Sequence, residues 1–157
     1  MGFIYKKSRI ANAGRELIEV ALTDSTTYTI GDAVKVTTGK LVLWGAGGAG
    51  LGILAGIRKA DGSPVTDNGA GGDFVDTYTT GVSTTLVGVI DVSLNSIYSV
   101  TADAALGTTT GSDLIGYNMD LVAASDQLDE NTAVTTTASF FGYGTDPDGS
   151  APDNSVL

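Results

Sequence analysis

The sequence predicts an all-β domain, a sandwich or small barrel of short antiparallel strands, and three observations support this. Glycine accounts for 22 of the 157 residues, threonine, valine and serine are abundant, and such a composition favours pleated strands and tight turns. Apolar and polar residues alternate with a period of two in several segments. No segment of ten or more residues has a clear helical period, which argues against a fold of alternating strands and helices.

The first half of the chain contains three segments with this alternation. Residues 18–22 predict one strand, and residues 53–57 predict another. Residues 34–36 and 40–44 alternate on either side of the turn-forming residues 37–39, so they predict a hairpin in which glycine supplies the positive φ.

The second half continues the pattern. Residues 87–92 form an apolar run typical of a buried strand, and residues 96–100 predict a strand after a turn. Residues 114–122 and 133–141 complete the set. The total of roughly nine short strands has the spacing expected of a sandwich or barrel.

We expect three parts in the chain. Residues 1–14 form a basic, extended N-terminal arm, residues 15–143 form the β body, and residues 144–157 form an acidic surface tail rich in turn formers. Within the body, residues 60–73 form a loop that is longer than usual, and loops of that length are often functional.

Charge is distributed unevenly along the chain. All eight Lys and Arg residues lie in the first 59 positions, and only four of the eighteen acids precede Ala60. The acidic body argues against nucleic acid as a direct partner, because like charge repels phosphate. The basic front segment indicates a cationic arm that meets an acidic partner, although selection for solubility is the alternative explanation.

Residues that carry common chemistry are missing. The chain has no cysteine and no histidine, which excludes disulfides, thiolate metal sites and Ser-His-Asp catalysis. The sequence has no run of about 18 apolar residues, so it predicts no membrane-spanning helix. We therefore expect a protein that is not an enzyme and binds no cofactor, with a small hydrolase built on carboxylates as the enzymatic alternative.

Two motifs resemble ligand sites but lack essential parts. Residues 45–50 match the glycine pattern of a dinucleotide-binding loop, yet the residues that follow alternate like a strand, and Gly52 and Gly56 interrupt them. Such a loop needs a helix there, so we interpret it as a glycine turn. Residues 146–153 resemble part of a calcium loop without its terminal glutamate, and a solvated acidic turn is the preferred interpretation.

Aromatic residues suggest a subunit contact. Trp44 is the only tryptophan and predicts a core or interface anchor. Phe140 and Phe141 are adjacent in a predicted strand and so point to opposite faces, one of them away from the core. We expect Trp44, Phe141 and Tyr143 to lie near a subunit boundary.

The N-terminal arm is the other expected interface. Its apolar residues could add as a strand to a neighbouring chain, and its cations could pair with acids there. The predicted interface residues of this region are Phe3, Ile4, Tyr5, Lys6, Lys7, Arg9 and Arg15.

Several segments resemble the small β domain of the capsid decoration proteins of tailed bacteriophages, also called cement or head-stabilising proteins. Residues 30–36 contain a Gly-Asp-x-Val strand, residues 39–42 follow a glycine turn, and residues 54–57 are an apolar Leu-x-Gly-Ile segment. Residues 98–103 and 106–121 also resemble members of this family.

The resemblance implies a β-tulip or barrel-like fold, a homotrimer, and a location on the outer surface of the capsid in the virion. It implies the major capsid protein as partner, neighbouring capsomers cemented against internal pressure, and no catalytic residues. The alternative is a tail, fibre or cell-surface β domain that binds a host glycan or protein.

Overall fold

The computed structural model describes residues 3–8, 14–45, 50–65, 76–93, 96–102, 118–121, 127–129 and 140–141. In these ranges the chain forms thirteen strands in four sheets, so the prediction of an all-β fold is confirmed. None of the described residues lies in a helix, and none therefore forms a helix able to cross a membrane.

The strands follow one another in chain order. They are β1 (Ile4–Ser8), β2 (Leu17–Ala21), β3 (Thr27–Thr29), β4 (Ala33–Thr37), β5 (Lys40–Leu43), β6 (Gly52–Lys59), β7 (Thr77–Thr79), β8 (Leu86–Asp91), β9 (Ser96–Ser99), β10 (Thr101–Ala102), β11 (Asn118–Leu121), β12 (Gln127–Asp129) and β13 (Phe140–Phe141).

The largest sheet has five strands in the order β2-β8-β6-β4-β5, and its neighbouring strands are antiparallel. Its two edges meet at one point, where Leu22 forms a parallel bridge with Leu41. Beside this bridge the backbone N–H of Thr23 donates to the carbonyl of Leu41 at 3.2 Å. The sheet is therefore curled, but the described strands do not close into a barrel.

The core lies against this curled sheet. Its six fully buried side chains are Leu22, Tyr28, Val34, Leu41, Leu54 and Ile90. Gly88, in β8, is what allows the leucines to meet there. A Cβ at Gly88 would lie only 2.8 to 3.1 Å from the tips of Leu22, Leu41 and Leu54. The close packing of these leucines therefore requires a residue without a side chain at position 88.

The predicted hairpin is present as β4 and β5. Thr37 pairs with Lys40, so only Thr38 and Gly39 form the loop. Both have positive φ, 53° and 76°, which is the pattern of a type I′ turn. Glycine supplies its expected positive φ, and Thr38 adopts the same region despite its branched side chain.

The N-terminal strand is not placed as expected. β1 pairs antiparallel with β9 of the same chain, with Ile4 opposite Ser99 and Tyr5 opposite Tyr98. Phe3 is 5% exposed, and its backbone N–H donates to the carbonyl of Gly31 at 2.8 Å. The prediction that this segment extends to a neighbouring chain is therefore wrong. β9 offers a free edge and the domain offers a buried place for Phe3, so the strand docks within its own chain.

Two smaller sheets complete the fold. β3 and β7 form an antiparallel pair in which Thr27 bonds Thr79 and Thr29 bonds Thr77 through their hydroxyls. The other sheet has the order β10-β12-β11-β13 and includes one parallel pair, β10 with β12. Residues 66–73 of the predicted long loop and all of the predicted tail lie outside the described residues. The domain boundaries stay predictions.

Candidate functional site

Three of the predicted interface residues converge on Tyr98 in β9. The rings of Phe3 and Tyr5 meet the ring of Tyr98 edge to face, with centroids 6.2 and 5.8 Å apart. The guanidinium of Arg15 lies over the ring of Tyr5, 4.6 Å from its centroid. The arrangement combines aromatic packing with a cation–π contact, and both contribute to holding β1 in place.

A buried carboxylate lies beside these rings. Asp91 is the last residue of β8, and its side chain is fully buried. Its Oδ2 accepts hydrogen bonds from the Nε of Arg15 at 2.7 Å and from the Oγ of Ser96 at 2.8 Å. The same oxygen accepts a hydrogen bond from the hydroxyl of Tyr98. The other oxygen, Oδ1, accepts a hydrogen bond from the backbone N–H of Ser93 at 2.9 Å. We call Arg15, Asp91, Ser96 and Tyr98 the Asp91 cluster.

Electrostatics fix the protonation states of this cluster. Burial raises the pKa of Asp91, but the hydrogen bonds from Tyr98 and Arg15 outweigh it, and the net pKa lies below its ordinary value. Burial, together with the bond to Asp91, raises the pKa of Tyr98 well above its usual range. At neutral pH Asp91 is therefore an anion and Tyr98 is a protonated donor.

The Asp91 cluster connects three segments of the chain. Its four members come from the segment before β2, the end of β8, and β9, so the carboxylate ties three parts of the chain together. Because several donors converge on Asp91, β1 and β9 are anchored to the five-stranded sheet at this point. Among the residues that the structure describes, no group of three or more acids is placed to hold a metal ion.

The other predicted interface residues have different positions. Ile4 is 46% exposed and is available for contact. The structure places Lys6 and Lys7 in β1 and Phe141 in β13. Arg9 and Tyr143 lie outside the described residues.

Trp44 lies inside the chain instead of at its surface. Trp44 is only 4% exposed. A Cβ added to Gly50 would come within 2.0 to 2.3 Å of its ring carbons. The expectation that Trp44 faces a subunit boundary does not agree with this burial, because its ring is already packed against its own chain.

The glycine motif does not lead into a helix. Gly50, its last glycine, makes room for the ring of Trp44, and β6 begins at Gly52. A dinucleotide-binding loop needs the N-terminus of a helix at this position. The strand after Gly50 therefore argues against a dinucleotide-binding loop, and residues 46–49, which the sequence predicts as a turn, lie outside the described residues.

Several of the Lys and Arg residues in the first 59 positions form ion pairs with acids of the same chain. Besides the pair of Arg15 with Asp91, Arg58 pairs with Glu19, and the Nζ of Lys40 lies 3.3 Å from Asp24. These three cations are thus partly neutralised by their own domain. The uneven charge along the sequence overstates the positive charge that a partner would meet.

The described residues form a β domain with a buried, charged hydrogen-bond cluster at Asp91 and with exposed turns. Comparisons of the chain with protein-family models, with curated proteins and with solved structures found no match.

Proposed function

We propose that the chain is a structural virion protein that binds the outer surface of the icosahedral capsid of a tailed bacteriophage and cements neighbouring capsomers. The observation that carries the proposal is where the resembling residues lie. Residues 30–36 include most of β4, residues 39–42 run from the turn into β5, and residues 54–57 lie in β6. These three strands are neighbours in one sheet, so these three resembling segments form one continuous structural unit.

The curled sheet gives further support. Its edges meet at the bridge between Leu22 and Leu41, which is compatible with the barrel-like or β-tulip fold implied by the resemblance. A compact β body suits a role in which the protein adds buried contact area across capsomer seams and so resists outward pressure.

The proposed partners are the major capsid protein and the chain itself as a homotrimer. A trimer attaches through three copies of the same surface, and such multivalency turns modest contacts into stable attachment. This role needs no catalysis, cofactor, membrane or nucleic acid. Because β1 pairs within its own chain, a partner would contact exposed residues such as Ile4. Phe141 and Tyr143 stay predicted interface residues.

Analysis of purified particles tests this proposal. Virions of the virus that encodes the chain are purified on a density gradient, and the chain is quantified against the major capsid protein. We expect a fixed ratio with many copies per particle, and restoration of that ratio when purified protein is added to particles that lack it. Absence from particles would refute the proposal. A few copies that follow tails or fibres would favour the alternative function, binding of a host glycan or protein.

A further inference from the structure

A tight turn follows β6, at the start of the predicted long loop. The backbone N–H of Lys59 donates to the carbonyl of Ser63 at 2.9 Å, so these two residues close the turn. Beyond them, Arg58 forms an antiparallel bridge with Pro64. Inside the turn the backbone N–H of Gly62 donates to the carbonyl of Lys59 at 2.9 Å, and Gly62 has a φ of 86°. This is the pattern of a hairpin loop that ends in a left-handed residue, a position that favours glycine.

Asp61 and Gly62 form the exposed part of this turn. An Asp-Gly pair is chemically labile, because the backbone nitrogen of the glycine can attack the side-chain carboxyl carbon of the aspartate. Glycine has no side chain to obstruct this approach. The neutral carboxyl group of Asp61 loses its hydroxyl and the amide of Gly62 loses its proton, so one water molecule leaves as the new N–Cγ bond closes a succinimide ring.

Hydrolysis of this ring changes the path of the main chain. Water adds to either carbonyl carbon of the succinimide. Addition at the main-chain carbonyl of Asp61 breaks its bond to the nitrogen of Gly62, and the new N–Cγ bond remains. The chain then runs through the side chain of Asp61, which is an isoaspartate linkage with a free main-chain carboxylate. Neither step needs a cofactor or an oxidant, and water is the only co-reactant.

Ser63 binds the carboxylate that has to react. Oδ1 of Asp61 accepts hydrogen bonds from the backbone N–H of Ser63 at 2.9 Å and from its Oγ at 2.6 Å. These bonds lower the pKa of Asp61 below its ordinary value, so less of the neutral, reactive carboxyl group is present. Ring closure also consumes the N–H of Gly62 that donates to Lys59. Both sets of hydrogen bonds therefore stabilise the unreacted chain.

We propose that Asp61 is a site of spontaneous isoaspartate formation and that the hydroxyl of Ser63 slows the reaction. The inference does not depend on the proposed capsid function. The product inserts the Cβ of Asp61 into the main chain and so lengthens the turn by one atom. Because the pair of Lys59 and Ser63 closes directly across this turn, isoaspartate disrupts the pairing at the end of β6.

Ageing of matched variants tests this inference. Ser63→Ala removes the hydroxyl, and Ser63→Thr is the control that keeps it. The folded proteins are incubated at mildly acidic pH, and isoaspartate at Asp61 is quantified over time by peptide mapping that separates the two isomers. We expect it to form about fivefold faster in Ser63→Ala than in the unsubstituted protein, because a hydrogen bond to the unreacted carboxylate is lost. Ser63→Thr should react at the unsubstituted rate.

Two references accompany the measurement. Asp148-Gly149 is the other Asp-Gly pair of the chain; it lies outside the described residues, and its rate should be the same in all three proteins. In denaturant the turn is absent, so Asp61 should react at one common rate in the three proteins, faster than in the folded unsubstituted protein.

The outcomes distinguish the two parts of the proposal. An unchanged rate at Asp61 in folded Ser63→Ala would overturn the protective role of Ser63. A rise of the same size in denaturant would overturn it too, because the effect would then come from the local sequence and not from the folded turn. Absence of isoaspartate at Asp61 in both the folded and the denatured proteins would overturn the site itself.

Discussion

Gly52 lies directly against the main chain of Asp91. A Cβ added to Gly52 would come within 2.2 Å of the carbonyl oxygen of Asp91, closer than real atoms approach. The contact joins β6 to the end of β8, next to the irregular pairing between Leu54 and Gly56. Because the obstructing atom belongs to the backbone, it cannot move aside as a flexible side chain would. The close approach therefore fixes how β6 meets the strand that carries the Asp91 cluster.

Gly52→Ala should destabilise the protein strongly. The added methyl must push two central strands apart, so we expect a loss of about 3 kcal/mol in the free energy of unfolding. Gly56→Ala is the matched control on the same strand, because a Cβ there would lie 3.8 Å from its nearest neighbour, an ordinary contact. It should change stability by about 0.5 kcal/mol at most. Denaturant unfolding of both variants measures the difference, and equal midpoints would contradict the account of Gly52.

Asp91 should make stability dependent on pH in the acid range. Its pKa is lower in the folded state than the value of about 3.9 in an unfolded chain, so the folded protein binds fewer protons. The stabilisation is complete above that unfolded value and is lost as pH falls through the folded pKa. Asp91→Asn should cost about 1–3 kcal/mol at neutral pH and flatten the acid-unfolding profile below about pH 4. An acid profile that keeps its slope in Asp91→Asn would contradict this assignment.

Phe3 should contribute to the stability of the whole domain. Phe3→Ala removes a buried ring from Tyr98, and we expect a loss of about 3 kcal/mol. Ile4→Ala is the control, since Ile4 is 46% exposed whereas Phe3 is buried, and it should change stability by about 0.5 kcal/mol. Thermal unfolding distinguishes them. If Phe3→Ala were as stable as Ile4→Ala, the first strand would be a detachable arm, as the sequence alone had suggested.

Thr38→Asn should stabilise the protein. Asparagine tolerates positive φ better than a branched residue, and Asn-Gly is the preferred pair in a type I′ turn. We expect a gain of about 0.5–1 kcal/mol. Thr37→Asn is the control, because Thr37 lies in β4 and pairs regularly with Lys40. Denaturant midpoints measure both variants, and an equal gain in Thr37→Asn would show that turn strain is not the cause.

The parts of the fold that the sequence predicts are those with local signals. The hairpin of β4 and β5 is marked by alternation around Thr38 and Gly39, and β8 by an apolar run, so both were predicted close to their observed positions. β3 and β7 were missed because a three-residue Thr-Tyr-Thr strand is too short to show a period.

The candidate sites depend on contacts between distant residues. Tyr5 and Tyr98 pair across more than half of the chain. The sequence predicted Tyr5 as an interface residue, but nothing in it marked Tyr98 as the residue that Tyr5 contacts. Asp24, Lys40 and Thr84 come together only because the curled sheet brings Leu41 beside Leu22. Such pairings are set by tertiary packing, which a single sequence does not display.

An image reconstruction of the intact particle tests the central claim, capsid decoration, most directly. We predict three-fold density on the outside of the shell at junctions between capsomers, into which the β domain fits. A shell without such density, in particles that contain the chain only in the tail or not at all, would contradict the account.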